Sequence, residues 1–265
     1  VDYKKLGFFS FRMYLLVSET PEKMREELQD YLRESKNVFQ ILEFTDRWDY
    51  ELGLITKSID EFNSFKQELD EKYSDLILEE EYVIVADRNA TSYLPTGFYE
   101  QTLCLDKPAK FDSTDLAILK SLADNARKSY YAVGKELSID ADTVRNRVKG
   151  MINCGIIKRL AAVINISRIN YTFYVFIANM KYINSNDQTR LRNLVANNQN
   201  IIEILKTIGN FDLIISIAVE NPHLLHTIIK EFKTQFAHTI KNYLTLVTYR
   251  EYCFKPIPDV ISEIL

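Results

Sequence analysis

Glycine and proline are scarce in this sequence, 7 and 6 residues of 265. That excludes collagen-like and linker-rich organisation and leaves little glycine for a loop that cradles phosphates. Neither GxGxxG nor GxxxxGK occurs. Cysteine is rare too. Cys104, Cys154 and Cys253 lie far apart and are odd in number, which excludes a disulfide framework or a paired-cysteine metal knuckle and fits a reducing cytoplasm. No apolar run reaches the length of a membrane span, so a soluble cytoplasmic chain with no membrane partner is expected. Residues 1–20 do not read as a signal peptide, because charge begins at Asp2 and no small-residue cleavage site follows. His223 and His226 stand three apart near a helix start, and His238 follows, but no cysteine joins them. Surface or packed histidines are therefore expected, with no metal and no other cofactor. No Ser/His/Asp or Cys/His set falls at a catalytic spacing, and Asp46 with Asp49 reads as a capped turn rather than an acid/base pair.

What is present is ordinary for a globular chain: 46% hydrophobic and 26% charged residues. The length suggests about two domains of roughly 100–200 residues. The net charge of −4 is unevenly spread. Residues 1–100 carry 12 Lys and Arg against 22 Asp and Glu, whereas residues 111–160 carry 9 against 6. A basic middle beside an acidic start places any nucleic-acid contact in the middle, although plain variation in surface charge would give the same numbers.

A repeat organises the chain. Shifting the sequence by 163 residues lays Ile41-Leu42 on Ile204-Leu205 and Trp48-Asp49 on Phe211-Asp212 without gaps. Phe62, Phe65, Leu69 and Tyr73 fall on Leu225, Ile228, Phe232 and Phe236. Each copy reads strand, helix, strand, strand, helix, strand. In the first copy Phe9, Phe11, Met13 and Leu15 alternate as in a strand with one buried face. Pro21 opens a helix, residues 38–44 and 50–56 are two strands, Asp60 caps a second helix, and residues 82–86 form the fourth strand. The acidic run Glu79-Glu80-Glu81 is expected to be solvated before an edge strand. This order is the split βαβ, ferredoxin-like arrangement, and a second copy of the sheet is the simplest cover for its open apolar face.

Between the copies lies a different unit. Leu116, Leu119, Leu122 and Ala123 mark a helix capped by Asp112 or Ser113. Ser129 caps a second helix through Leu137, and Asp140 caps a third over residues 141–153, which Gly155 stops. Residues 156–164 read as a trailing strand. Three helices, a tight turn and a strand make a winged helix-turn-helix. On the third helix Val144, Val148, Met151 and Ile152 form a core face. Asp142, Thr143, Arg145, Asn146 and Lys149 lie opposite, with Arg147 on the flank. Arg and Lys donate to guanine edges or phosphates, Asn pairs with adenine and Thr meets a thymine methyl. Lys128, Lys158 and Arg159 are candidates for backbone contact. The alternative is an amphipathic helix whose polar face is only solvated.

Phe111-Asp112-Ser113-Thr114-Asp115-Leu116 and Thr143-Val144-Arg145-Asn146-Arg147-Val148-Lys149, then Gly155-Ile156-Ile157, resemble the helix-turn-helix of the Lrp/AsnC regulators. The flanking copies resemble that family's effector domain by pattern. The resemblance implies an α+β fold: two ferredoxin-like βαββαβ domains, residues 1–100 and 164–265, flanking a winged helix-turn-helix domain at 107–163. It implies a regulator that binds double-stranded DNA, forms homo-oligomers through the ferredoxin-like domains and answers to a small effector, such as an amino acid. Gly209-Asn210-Phe211-Asp212 matches the family's effector turn. Trp48 and Asp49 hold the equivalent place in the first copy, where Asp46 replaces the glycine. Gly134 stands where the family has alanine. The usual order is one helix-turn-helix and one effector domain, and Val1 falls inside the pattern, so a tandem protein with a further helix-turn-helix before Val1 is expected. Two other classes remain: a haem-pathway decarboxylase of similar fold, and a regulator-like partner protein without DNA contact.

Overall fold

The structure is a computed structural model, and it describes residues 1–19, 21–90, 111–158, 160 and 169–264. The first copy folds as β1 (Phe9–Val17), α1 (Glu22–Glu34), β2 (Val38–Phe44), β3 (Tyr50–Thr56), α2 (Ile59–Tyr73) and β4 (Ile77–Ala90). Then come α3 (Ser113–Asp124), α4 (Tyr130–Leu137) and α5 (Ala141–Asn153). The second copy follows as β5 (Thr172–Met180), α6 (Ser185–Asn197), β6 (Ile201–Gly209), β7 (Leu213–Val219), α7 (Pro222–Gln235) and β8 (Ile240–Phe254). Each element of the second copy starts 163 residues after its counterpart, so the sequence offset is also the structural one.

Among the described residues all eight strands join one closed antiparallel barrel in the order β1-β3-β2-β8-β5-β7-β6-β4. The two sheets thus cover each other within one chain and also share edges, at a β2–β8 seam and a β4–β6 seam. Closure explains two departures from the sequence reading. The strands β4 and β8 are long because each pairs with a strand of its own copy and then crosses to the other. The acidic run lies inside β4, not before an edge. Glu80 meets Lys66, Glu79 meets Arg47, and Glu81 accepts from Asn210. A closed barrel leaves no edge to protect.

Three cores result. Helices α1 and α2 cover one sheet over Phe11, Met13, Leu15, Leu28, Phe62 and Leu69. Helices α6 and α7 cover the other over Phe176, Leu194, Ile215, Ile228 and Phe232. Tyr14, Phe44, Trp48, Val83, Ile177, Leu205 and Leu246 fill the barrel interior. The strand β1 is therefore buried on both faces, including Arg12 and Tyr14, rather than on the single face that alternation predicts. Ser58, not Asp60, caps α2, because its hydroxyl accepts from the Glu61 N–H while Asp60 lies in the first turn.

The middle helices form a fourth core around Ile118, Leu122, Val133, Val144, Val148 and Met151. Asp112 and Asp115 close a capping box at α3, Ser129 caps α4, and Asp140 accepts from Asp142 and Thr143 at α5. Leu116 of α3 packs with Tyr3, Phe8, Phe39 and Ile261, which docks this unit on the barrel. Asp2 N–H donates to the Ile156 carbonyl at 2.9 Å and Lys5 Nζ to the Cys154 carbonyl at 2.6 Å. Ile156 and Ile157 form a bend in that core rather than the start of a strand. Arg159 and residues 161–164, like Cys104, lie outside the described residues.

A Cβ on Gly134 would stand 2.6 Å from the Ile139 carbonyl oxygen, a backbone atom. Helix propensity favours alanine by up to about 1 kcal/mol. The clash should outweigh that, so Gly134→Ala should lower the melting temperature in differential scanning calorimetry rather than raise it.

Candidate nucleic-acid interface and effector turn

Folding separates the DNA candidates into two groups. Thr143, Arg145, Asn146 and Lys149 stand exposed along α5. Arg145 leans on Asp142 through an exposed pair at 2.5 Å that phosphate or base oxygens can replace. The other three described candidates already hold acidic partners. Arg147 reaches both oxygens of Asp112, at 2.9 and 2.8 Å, and Asp115 at 3.1 Å, and so clamps α5 to the start of α3. The hydrogen bond from Arg147 holds the Asp112 carboxyl below its ordinary range. Lys128 bridges Ser121 and Glu136, and Lys158 pairs with Asp2 at 3.0 Å. Sequence reasoning passed over Arg127, Tyr131 and Lys135, all exposed around α4, the helix before the recognition helix. Tyr131 is 72% exposed, and a large ring left in water beside a cap was the available signal.

The two turns at the β-hairpins are built alike. Asp212 Oδ2 accepts from Met180 N–H at 2.7 Å, and Asp49 Oδ2 accepts from Val17 N–H at 2.7 Å, so each pins the end of its first strand. Asp49 Oδ1 also faces Arg25 at 3.6 Å. Asp212 Oδ1 meets no cation among the described residues. Phe211 packs edge-on against Tyr14 at 5.7 Å and Trp48 packs on the same ring at 6.1 Å, so both aromatics belong to the barrel interior. Gly209 has φ 140°, and a Cβ there would meet Val83 Cγ1 at 3.0 Å and the Tyr82 carbonyl oxygen at 3.1 Å. Glycine is needed where β6 passes β4. Asp46, its counterpart, instead accepts from Val247 N–H at 2.9 Å across the other seam. Asn210 is exposed and donates to Glu81. Among the described residues no group of three His, Cys, Asp or Glu could hold a metal, and no helix is long and apolar enough to cross a membrane.

An AsnC-type helix-turn-helix domain matches residues 111–152. The transcriptional regulator Ptr1 of Methanocaldococcus jannaschii is 35% identical over 103 residues, 39% of this chain and 68% of that protein. The chain belongs to the Lrp/AsnC family. It is a DNA-binding transcription regulator of that family, with a mixed α+β architecture built on a large antiparallel sheet. The HTH-type transcriptional regulator LrpB of Bacillus subtilis is 26% identical over 50% of this chain and 90% of its own length. The siroheme decarboxylase NirDL superposes over 99% of this chain and 79% of its own, with a TM-score of 0.62 and 11% identity. That likeness is one of fold.

Proposed function

We propose that the chain is a tandem Lrp/AsnC regulator in which residues 1–100 and 164–265 are ferredoxin-like effector modules and residues 107–163 are a helix-turn-helix domain. The barrel brings together in one chain two modules that single-module relatives would bring together as two chains. Further copies then assemble through surfaces outside the barrel seams, and a dimer gives the two half-sites that a helix-turn-helix protein reads. The helix α5 enters the major groove with Thr143, Arg145, Asn146 and Lys149 toward base edges and phosphates; Lys128 and Lys158 would reach the backbone by leaving Glu136 and Asp2, and Arg159 stays a candidate from the sequence alone. Arg147 serves this surface by holding α5 in place. The second-copy turn, Gly209 to Asp212, receives a small effector such as an amino acid, because Asp212 Oδ1 is open to an ammonium group; Trp48 and Asp49 form the weaker counterpart. The protein works in the cytoplasm as a regulator and not as an enzyme, and it needs no cofactor.

One observation carries this reading: the exposed polar face of α5 on a helix that is otherwise core. Arg145→Ala, Asn146→Ala and Lys149→Ala should each weaken operator binding by about 1–3 kcal/mol where a base contact is lost. Loss of a phosphate contact should flatten the salt dependence instead. Fluorescence anisotropy across a salt series checks this. Wild-type binding in all three variants would refute the interface.

A further inference from the structure

The helix α5 carries a carboxylate on the face assigned to DNA. Asp142, Arg145, Asn146 and Lys149 stand at positions i, i+3, i+4 and i+7, so they form one stripe, and all four are exposed. Asp142 heads the stripe. It pairs with Arg145 Nη1 at 2.5 Å, the two side chains being 71% and 50% exposed. The cap adds a second acid at the same end, where Asp140 Oδ2 accepts from the N–H groups of Asp142 and Thr143. A helix N-terminus ordinarily attracts phosphate. This one is filled by one carboxylate and flanked by another. Attraction to phosphate has other sources in the unit. Arg127 and Lys135 around α4 and Lys149 on α5 are exposed and enter no ion pair among the described residues. Such cations supply the sequence-blind part of binding.

We propose that Asp142 is a specificity-determining residue of this regulator: it orients Arg145 toward a guanine edge and opposes binding wherever α5 meets phosphate alone. Asp142 holds Nη1 and leaves Nε and Nη2 of the guanidinium fork. Guanine offers that fork two neutral acceptors, O6 and N7. A phosphate oxygen is charged, so it is repelled by the Asp142 carboxylate and competes with it for the same cation. The acid therefore lowers affinity for DNA of every sequence and widens the gap between the right sequence and the rest. Its role is one of positioning, exerted through Arg145. The proposal rests on the reading of α5 as the helix that meets DNA.

Fluorescence anisotropy of the full chain with two duplexes tests it, one enriched by the wild type from a randomised library and one of mixed sequence. Asp142→Asn should bind the mixed duplex about threefold tighter or more. The ratio of the two affinities should fall about fivefold or more. Asp142→Ser, which also suits a first helical turn, should repeat both changes. In an Arg145→Ala background Asp142→Asn should raise both affinities alike and leave the ratio unmoved. A carboxylate that only steadies the first turn of α5 would move Tm and not the ratio. An unmoved ratio in both single variants, or a mixed-duplex affinity that does not rise, overturns the proposal. A ratio that falls equally with and without Arg145 overturns the positioning role. Wild-type binding in Arg145→Ala, Asn146→Ala and Lys149→Ala together would overturn the interface itself, so the two failures are told apart.

Discussion

Glu203→Ala should destabilise the protein by about 3–5 kcal/mol, because it removes one partner from a buried ionic cluster and leaves the other in place. Glu203 lies in β6 and receives Arg12 Nη2 at 3.2 Å and Arg88 Nε at 2.7 Å, both from the first copy. Burial pushes its carboxyl upward, but Arg88 and Arg12 outweigh burial and hold it below the ordinary value. A depressed carboxylate adds stability that is present above the unfolded pKa and is lost as the pH falls through the folded one. The variant and the wild type should therefore converge in acid and differ most near neutrality. Arg12→Met should cost less. It removes the buried cation while keeping a long apolar stem over Phe39, whose ring the guanidinium now covers at 5.1 Å. Urea titration of the full chain checks the order of the two losses. A larger loss for Arg12→Met would show that the cation, not its compensation, is what the barrel needs.

The same cluster shows what the sequence pattern conveyed and what it hid. The six-element order and the bounds of β2 and β3 were readable, because strand alternation and helical spacing depend only on neighbours along the chain. So was the polar face of α5. The ionic cluster was not readable, because its members are joined only when the seams close. Under the 163-residue offset Arg12 corresponds to Val175, Glu51 to Ile214, Glu203 to Gln40, and Arg88 to Glu251. At the second seam Gln40 accordingly donates to Glu251 at 2.8 Å where Arg88 meets Glu203 at the first. Two first copies would set Gln40 against Arg88, and two second copies would set Glu203 against Glu251. The halves are thus matched to each other rather than to themselves, and Gly53 leaves the room that Arg12 occupies. The engaged state of Arg147, Lys128 and Lys158 was hidden for the same reason. Arg147 finds Asp112 across 35 positions, and Lys158 finds an acid at the opposite end of the chain.

Tyr14→Ala should cost about 3–5 kcal/mol, the range for truncating a large buried aromatic, and it should do so in a single unfolding transition. Tyr14 is fully buried at the centre of the barrel. Its ring touches Trp48 from its own copy and Phe211 from the other, so the void would open in a core that both copies share. Two independent modules would unfold in two steps, and the change would move only the first. A shared interior and two hydrogen-bonded seams tie the steps together, since neither sheet can leave without exposing the apolar face of the other. Tyr14→Phe keeps the ring and removes a hydroxyl that faces the buried Glu51 carboxylate, so its cost should be well below that of the truncation. Calorimetry with circular dichroism and tryptophan fluorescence as parallel probes decides the matter, because Trp48 is the chain's one tryptophan and lies in that interior. Coincident transitions, all lowered in Tyr14→Ala and lowered much less in Tyr14→Phe, are the expected result. A second transition untouched by Tyr14→Ala would mean that the modules fold apart, and the barrel interior would then not be the core that holds the tandem together.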